Sequence, residues 1–117
     1  MSIRNLDKIF KPTSVAVVGA SDQAPGVGYT LLHNLLTTGF EGQVFAVNPK
    51  RDSVQGIPAY ANVAALPQAP DLAVIATPAR TVPGLLRECG EAGIFGVIVI
   101  AVTTMYVRVG AGERQQA

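Results

Sequence analysis

The chain has 117 residues, 49% of them hydrophobic, which is enough for one domain that buries roughly two thirds of its unfolded surface. Nine Lys and Arg against eight Asp and Glu leave a net charge of +1, which excludes the broad basic surface that binds nucleic acid. The single cysteine, Cys89, excludes an internal disulfide and favours a reducing compartment, so we expect a cytoplasmic protein.

The first half of the chain predicts two strands with a helix between them. The apolar run Ser14 to Gly19 is typical of a strand that is buried on both faces. Val27 to Thr38 carries four leucines at helical spacing, and Gly39 is predicted to end that helix. Val44 to Val47 is the next strand, which Asn48-Pro49 ends because proline has no amide proton to give a sheet.

The middle of the chain predicts a loop, a helical turn and a third strand. Asn48 to Pro58 is polar and rich in turn residues, so we expect a surface loop there. Asn62 to Leu66 predicts one short helical turn before Pro67. Asp71 to Thr77 repeats the pattern of the first strand, an apolar run that ends in small residues, and is predicted to be a strand.

The last third predicts a second helix and a fourth strand. Thr81 is a candidate cap for a helix that ends at Gly90 or Gly93, and Gly96 to Ala101 is the strand. The longest apolar run, Val97 to Val102, falls far short of the roughly 20 residues that a membrane-spanning helix needs. Charged residues interrupt the amino terminus, so we expect neither a secretory signal nor a membrane partner.

The alternation of buried strands and helices predicts an α/β fold, a Rossmann-like parallel sheet with helices on both faces. Right-handed crossovers bring the carboxyl ends of the strands to one edge of such a sheet, and ligands bind there, where the strand order reverses. The loops that we expect at this edge are 19–28, 48–51 and 77–80.

The first of these loops is a glycine-rich turn between a strand and a helix. Backbone N–H groups in such a turn can approach a phosphate, whose charge the helix dipole favours. The dinucleotide fingerprint G-x-G-x-x-G nevertheless fails, because the residue two after Gly19 is Ser21. The next glycines, Gly26 and Gly28, follow only after an insertion.

The second loop has no acid where NAD sites place one to bind the ribose hydroxyls. Val47 is followed by Asn48, Pro49, Lys50 and Arg51. Two cations at this place suit a nucleotide with an extra ribose phosphate, as CoA has at the 3′ position and NADP at the 2′ position. The alternative is that both are solvated loop charges.

Six short motifs occur in order and together resemble one family. They are Ser-Val-Ala-Val-Val-Gly-Ala-Ser-Asp at 14–22, Gly-Phe-Glu-Gly at 39–42, Val-Asn-Pro-Lys at 47–50, Gly-Ile-Pro-Ala-Tyr at 56–60, Asp-Leu-Ala-Val-Ile-Ala-Thr-Pro-Ala at 71–79 and Glu-Cys-Gly-Glu-Ala-Gly at 88–93. Over about residues 4–101 the chain resembles the CoA-binding domain of the NDP-forming acyl-CoA synthetases, relatives of the succinyl-CoA synthetase α subunit.

The resemblance implies a Rossmann-like domain with CoA across the carboxyl edge of the sheet. By position, it implies that Gly19, Ala20 and Ser21 meet the phosphate region and that Asn48, Pro49 and Lys50 flank the adenosine phosphate end. It further implies that Thr77, Pro78 and Ala79 line the CoA cleft. CoA or acyl-CoA is the ligand that follows, with other synthetase domains or subunits as partners.

The resemblance stops after the fourth strand. Family members continue with a turn of small residues and a helix, whereas residues 102–117 begin with an alternating pattern that suggests an extended segment. We therefore divide the chain into a CoA-binding domain at 1–101 and an atypical tail at 102–117. In the synthetases a phosphohistidine and a nucleotide-grasp domain carry the reaction, and both lie outside the matched region, so we expect no catalysis by this chain alone.

No catalytic or metal site is predicted. His33, the only histidine, lies in the middle of a predicted helix and is expected to be a surface or packing residue. Cys89 has no paired base and is expected to be a packed helix cysteine. Tyr29 and Tyr60 could contact an adenine or pack on the domain itself.

Three functions remain open from the sequence. The favoured one is a CoA-binding module, a fragment or subunit of an acyl-CoA synthetase or of an acetyltransferase fusion. The second is an NAD(P)-binding redox-sensing or reductase domain, which Lys50 and Arg51 leave possible for NADP. The third is an assembly domain without a ligand, in which the apolar edge Val97 to Val102 drives self-association or pairing with another chain.

Overall fold

Strand β1, Ser14–Val18, runs through the middle of the sheet, and all five of its residues are buried. The computed structural model describes residues 11–24, 26–94 and 96–100, so the tail expected at 102–117 lies outside the described residues. Over the described residues the other strands are β2 (Gln43–Val47), β3 (Ser53–Val54), β4 (Ile57–Tyr60), β5 (Leu72–Ile75) and β6 (Gly96–Val99). The helices are α1 (Val27–Thr37) and α2 (Val82–Glu91), with 3-10 turns at Val63–Ala65 and Ala79–Thr81.

Over the described residues the sheet has six strands in the order β3-β4-β2-β1-β5-β6. All neighbouring pairs are parallel except β3 and β4, which form an antiparallel hairpin. Val18 is the register partner of both Val47 on β2 and Ile75 on β5, so these three strands end at the same level. The chain moves from β1 to β2 on one side and later returns to β5 on the other, which makes the carboxyl ends of β1 and β5 the switch point.

Each face of the sheet carries its own hydrophobic core, because successive strand residues point to opposite sides. Val17 and Ala46 pack on the face that α1 covers, together with Leu32 of that helix. Val18 and Val47 pack on the opposite face, where α2 contributes Cys89 to the core. The predicted α/β fold, a mostly parallel Rossmann-like sheet with helices on both faces, is confirmed.

The prediction of a surface loop over Asn48 to Pro58 is wrong in part. The segment contains β3 and the first residues of β4, and β4 adds to the sheet beside β2. Val54 is fully buried and anchors this hairpin to the α1 core. The two strands have only two and four residues and are separated by Gln55 and Gly56, which both have a positive φ. Their alternation of apolar and polar residues is therefore too short to distinguish the segment from a loop.

The expected cap at Thr81 is also wrong. Its side chain makes no capping hydrogen bond, and its backbone is already helical, with φ −88° and ψ −13°. The 3-10 turn Ala79–Thr81 leads directly into α2, so the chain enters the helix without the extended residue that a side-chain cap requires. The helical turn predicted near Asn62 is present, and Asn62 caps it by accepting a hydrogen bond from the N–H of Ala65 at 2.9 Å.

A polar cluster ties the amino ends of β1 and β5 together, away from the candidate site. One carboxylate oxygen of Asp71 accepts hydrogen bonds from the backbone N–H and the hydroxyl of Thr13, at 2.9 and 2.8 Å. The N–H of Asp71 donates to the hydroxyl of Ser14 at 2.9 Å.

Among the helices in the described ranges, none has the length and hydropathy that crossing a bilayer requires.

Candidate functional site

A cleft of about 370 Å³ opens at the carboxyl ends of β1, β2 and β5, beside the switch point. Its volume lies within the roughly 300 to 1,000 Å³ that is common for small-molecule sites. The lining is mostly apolar and comes from the ends of β1 and β2, from four loops and from α2. It consists of Val18, Gly19, Val47, Pro49, Ala61, Asn62, Thr77, Pro78, Thr81, Gly84, Leu85 and Glu88.

Gly19 closes strand β1 and forms the floor of the cleft. Its φ is +97°, in the region that glycine adopts without strain. A Cβ at this position would lie 2.5 Å from the carbonyl oxygen of Ala76 and 2.9 Å from the Thr77 methyl carbon. Glycine is therefore required by the conformation and by the close approach of the loop after β5. The backbone N–H of Gly19 itself donates to the carbonyl of Val47 at 3.1 Å.

Asn48 joins the loop after β2 to the glycine-rich turn. Its side-chain N–H donates to the carbonyl of Ala20 at 2.9 Å, and its side-chain oxygen accepts from the N–H of Lys50 at 2.8 Å. Its own backbone N–H donates to the carbonyl of Tyr60 at 2.9 Å. These bonds occupy both ends of the amide, so Asn48 fixes the positions of two loops relative to each other.

The two cations of the second loop have different surroundings. The guanidinium of Arg51 lies 2.9 Å from a carboxylate oxygen of Asp22, in the glycine-rich turn. Within the described part of the chain, the ammonium of Lys50 has no ion-pair partner, and Lys50 is exposed directly after Pro49 on the cleft wall. Lys50 is thus available to an anion at the cleft, whereas Arg51 is already paired.

A chain of hydroxyl groups organises the loop after β5. The Thr81 hydroxyl donates to the carbonyl of Pro78 at 2.6 Å. The hydroxyl oxygens of Thr77 and Thr81 are 2.7 Å apart. Since Thr81 has one hydroxyl proton and gives it to Pro78, the hydroxyl of Thr77 donates to Thr81. Thr77 therefore presents acceptor lone pairs to the cleft.

The structure brings together some of the predicted site residues. Gly19, Pro49, Thr77 and Pro78 line the cleft. The remaining predicted residues do not line it, and they are Ala20, Ser21, Asn48, Lys50 and Ala79.

The predicted residues outside the lining have different surroundings. Ala20 is 1% exposed and packs in the α1 core. The Ser21 hydroxyl accepts a hydrogen bond from the N–H of Gln23 at 2.9 Å. Lys50 and Ala79 are exposed, and Asn48 is partly buried beside them at the same edge of the sheet.

Sequence reasoning missed the residues of the cleft that come from α2 and from the loop after β4. Leu85 and Glu88 lie one turn apart on the helix and both line the cleft, a spacing that indicates one helix face. Asn62 lines the cleft as well as capping its own turn. Gln55 lies behind the glycine-rich turn, and its only signal in the sequence was the following Gly56, since glycine marks turns.

Each of the four residues singled out in the sequence has a packing or surface environment in the structure. His33, which is predicted to be a surface or packing residue, is exposed on α1 and stacks on Tyr29, with ring centroids 5.6 Å apart. The ring of Tyr60 packs edge-on against the ring of Phe45, with ring centroids 6.4 Å apart. Cys89 is 1% exposed in the α2 core, and burial together with the nearby charge of Glu88 raises the pKa of its thiol. The described residues include no group of His, Cys, Asp or Glu that could hold a metal ion.

Fold and cleft together define a Rossmann-like domain with a cleft at the switch point of its sheet. The chain belongs to a family of CoA-binding domains, whose model, described as "CoA binding domain", matches residues 13–106. The domain is homologous to the corresponding part of the NDP-forming acyl-CoA synthetases.

Relatives of known name are much longer than this chain. It is 43% identical over 96 residues to acetate–CoA ligase (ADP-forming) I of Archaeoglobus fulgidus, an alignment that covers 82% of this chain and 14% of that protein. It is 38% identical over 101 residues to the α subunit of acetate–CoA ligase (ADP-forming) I of Pyrococcus furiosus, which covers 83% and 22%.

A solved structure with a related sequence has a similar fold over the matched part. The dinucleotide-forming acetyl-coenzyme A synthetase 1 of Candidatus Korarchaeum cryptofilum, in complex with phosphate and ADP, superposes with a TM-score of 0.78. Its sequence is 40% identical, and the match covers 81% of this chain and 20% of that one. The chain thus spans about a fifth or less of the length of these relatives.

Proposed function

We propose that this chain binds CoA across the carboxyl ends of β1, β2 and β5. The observation that carries the proposal is the cleft at the switch point, where Gly19 forms the floor and where Lys50, which has no ion-pair partner among the described residues, stands next to the wall. A largely apolar cleft with a few polar groups suits a ligand that has a pantetheine arm and phosphates at its other end.

The position of Lys50 favours an extra ribose phosphate on the ligand. The ammonium is free of intramolecular ion pairs within the described residues, and the carboxamide of Asn48 holds the Lys50 backbone N–H at 2.8 Å. An ammonium is a compact point charge that binds phosphate without a fixed orientation. In this proposal Lys50 contacts the 3′ phosphate of CoA, and the glycine-rich turn with the start of α1 contacts the diphosphate.

We further propose that the domain serves an NDP-forming acyl-CoA synthetase, as a part or subunit of it. The named relatives that carry this domain are ADP-forming CoA ligases, which supports a ligase as the parent reaction. The acyl chemistry then belongs to other domains or subunits, and a fusion to an acetyltransferase is a second parent of the same kind. The buried free thiol of Cys89 supports a cytoplasmic location.

The edge of the sheet at β6 supports a contact with such a partner. Within the described part of the chain, β6 is the last strand in the sheet order, and Ile98 and Val99 on it are 43% and 42% exposed. An exposed apolar edge strand pairs readily with another chain. We propose that another synthetase domain covers this edge. Sedimentation of the wild-type chain and of Ile98→Lys tests the alternative, self-association. If the chain self-associates through this edge, the wild-type chain forms dimers and the variant does not.

Calorimetric titration of the full chain with CoA, dephospho-CoA, NAD and NADP tests the ligand. We expect CoA to bind more tightly than dephospho-CoA, and we expect Lys50→Ala to remove that difference without abolishing binding. The matched control is Lys11→Ala, since Lys11 is exposed near the opposite, amino edge of the sheet. Lys11→Ala should leave both affinities unchanged.

The other outcomes separate the alternative functions. NADP binding without CoA binding moves the chain to the reductase class. If none of the four ligands binds, the assembly function is the remaining alternative. Equal losses of CoA affinity in Lys50→Ala and Lys11→Ala would show that the effect is one of net charge, and the assignment of Lys50 would then be wrong.

A further inference from the structure

Gln55 connects three segments of the chain behind the glycine-rich turn. Its side-chain N–H₂ donates to the carbonyl of Ser21 at 2.9 Å and to the carbonyl of Tyr29 at 3.1 Å. Its backbone N–H donates to a carboxylate oxygen of Asp22. Both side-chain bonds are partly buried and cross 34 and 26 positions of sequence. The hairpin tip thus holds the turn after β1 and the first turn of α1 in one arrangement.

The orientation of this amide follows from its partners. Ser21 and Tyr29 both offer carbonyl oxygens, so only the N–H₂ end can face them, because the opposite orientation sets three oxygens against one another. The Tyr29 carbonyl lies in the first turn of α1, three residues into the helix. Gln55 therefore fixes the distance between the turn at 20–24 and the end of α1 at which backbone N–H groups are unpaired.

The backbone at Gln55 is costly for a residue with a side chain. Its φ is +51°, the only positive φ at a non-glycine residue among the described positions, and Gly56 follows with φ +88°. Val54 and Ile57 pair across these two residues, which defines a type I′ hairpin turn. Asparagine is the preferred residue at the first position of such a turn. The longer glutamine is a poorer choice for the turn, but its side chain reaches Ser21 and Tyr29.

We propose that Gln55 is a positioning residue for CoA, which holds the turn at 20–24 in the geometry that receives the diphosphate. This inference rests on the proposed function of CoA binding. Gln55 does not line the cleft and acts through the turn, so its loss weakens only those ligands that have phosphates at that turn. Pantetheine, which has no phosphate, should be insensitive to the substitution.

The test is titration of the wild-type chain and of Gln55→Asn with CoA, dephospho-CoA and pantetheine. Asparagine keeps the amide and suits the turn, but it is one methylene too short to reach both carbonyls. Loss of these bonds should weaken CoA and dephospho-CoA by about three- to tenfold and leave pantetheine unchanged. Gln55→Glu, which sets a carboxylate against the same carbonyls, should weaken both phosphate ligands further.

The matched control is Gln68→Asn. Gln68 makes an exposed side-chain hydrogen bond to Gln43 at 2.6 Å, away from the glycine-rich turn. Circular dichroism at the titration temperature confirms that each variant is folded. The inference is wrong if Gln55→Asn leaves CoA affinity intact, or if it lowers pantetheine and CoA by one common factor, as a general loss of structure does. Failure of the wild-type chain to bind CoA would instead refute the proposed function on which the inference rests.

Discussion

Gly28 of α1 packs so closely against the turn after β1 that a Cβ on it would lie 1.9 Å from the carbonyl oxygen of Gly19. The obstacle is backbone, which cannot rotate away as a side chain can. Gly28 thus has the role of the last glycine in a dinucleotide fingerprint, which brings helix and strand together. The role is retained although the turn is longer than the fingerprint allows.

Gly28→Ala should destabilise the fold by about 1 to 3 kcal/mol or more, because the helix must move off the strand. The control is Gly90→Ala on α2, where an added Cβ meets nothing within 4 Å. Alanine at this helical position should stabilise by about 0.4 to 1 kcal/mol. Urea unfolding measures both, and equal midpoints for the two variants would contradict the packing argument.

Asp22→Asn should tighten CoA binding. The substitution removes a negative charge from the glycine-rich turn and releases Arg51, while the asparagine oxygen can still accept the N–H of Gln55. The gain should be at most about fivefold, the size of a partly exposed ion pair, and should shrink as salt is added. Asp52→Asn removes the same charge at an exposed neighbouring position and should change affinity less. Weaker CoA binding in Asp22→Asn would mean that the ion pair shapes the turn.

Thr77→Val should weaken CoA binding by about three- to tenfold with little loss of stability. Valine keeps the methyl group that lies beside Gly19 and removes the hydroxyl whose lone pairs face the cleft. Thr37→Val is the matched control, because the Thr37 hydroxyl only donates to the carbonyl of His33 within α1, at 2.7 Å. Titration calorimetry gives the affinities, and an unchanged affinity in Thr77→Val would remove the hydroxyl from the site.

Because of Cys89, the free energy of unfolding should depend on pH in the alkaline range. Burial, and secondarily the charge of Glu88, raises the pKa of its thiol above the ordinary value of 9.0. The unfolded chain therefore loses the thiol proton first as pH rises, so the free energy of unfolding is intact below about pH 9 and falls above it. Unfolding of the wild-type chain and of Cys89→Ala from pH 8 to pH 10 checks this sign. The wild-type curve should fall more steeply, and parallel curves would contradict the prediction.

The sequence alone determined the α/β class, the order of the main strands and helices, and the family. Long apolar runs and leucines at helical spacing are local signals, and each can be recognised from the residues of its own segment alone. The short motifs around Gly19, Asn48 and Thr77 pointed to one sheet edge, because parallel strands must end together. The hairpin at β3 and β4 was missed, since two to four residues are too few to establish a period.

Only the tertiary structure decided what individual residues do at that edge. Lys50 and Arg51 are neighbours with the same charge, and the position of Asp22, which lies 29 residues before Arg51 in the sequence, separates a paired cation from an available one. The bonds of Gln55 likewise connect segments that are distant in the chain. Hydrogen bonds and ion pairs of this kind depend on the packing of the whole sheet, so no local pattern could predict them.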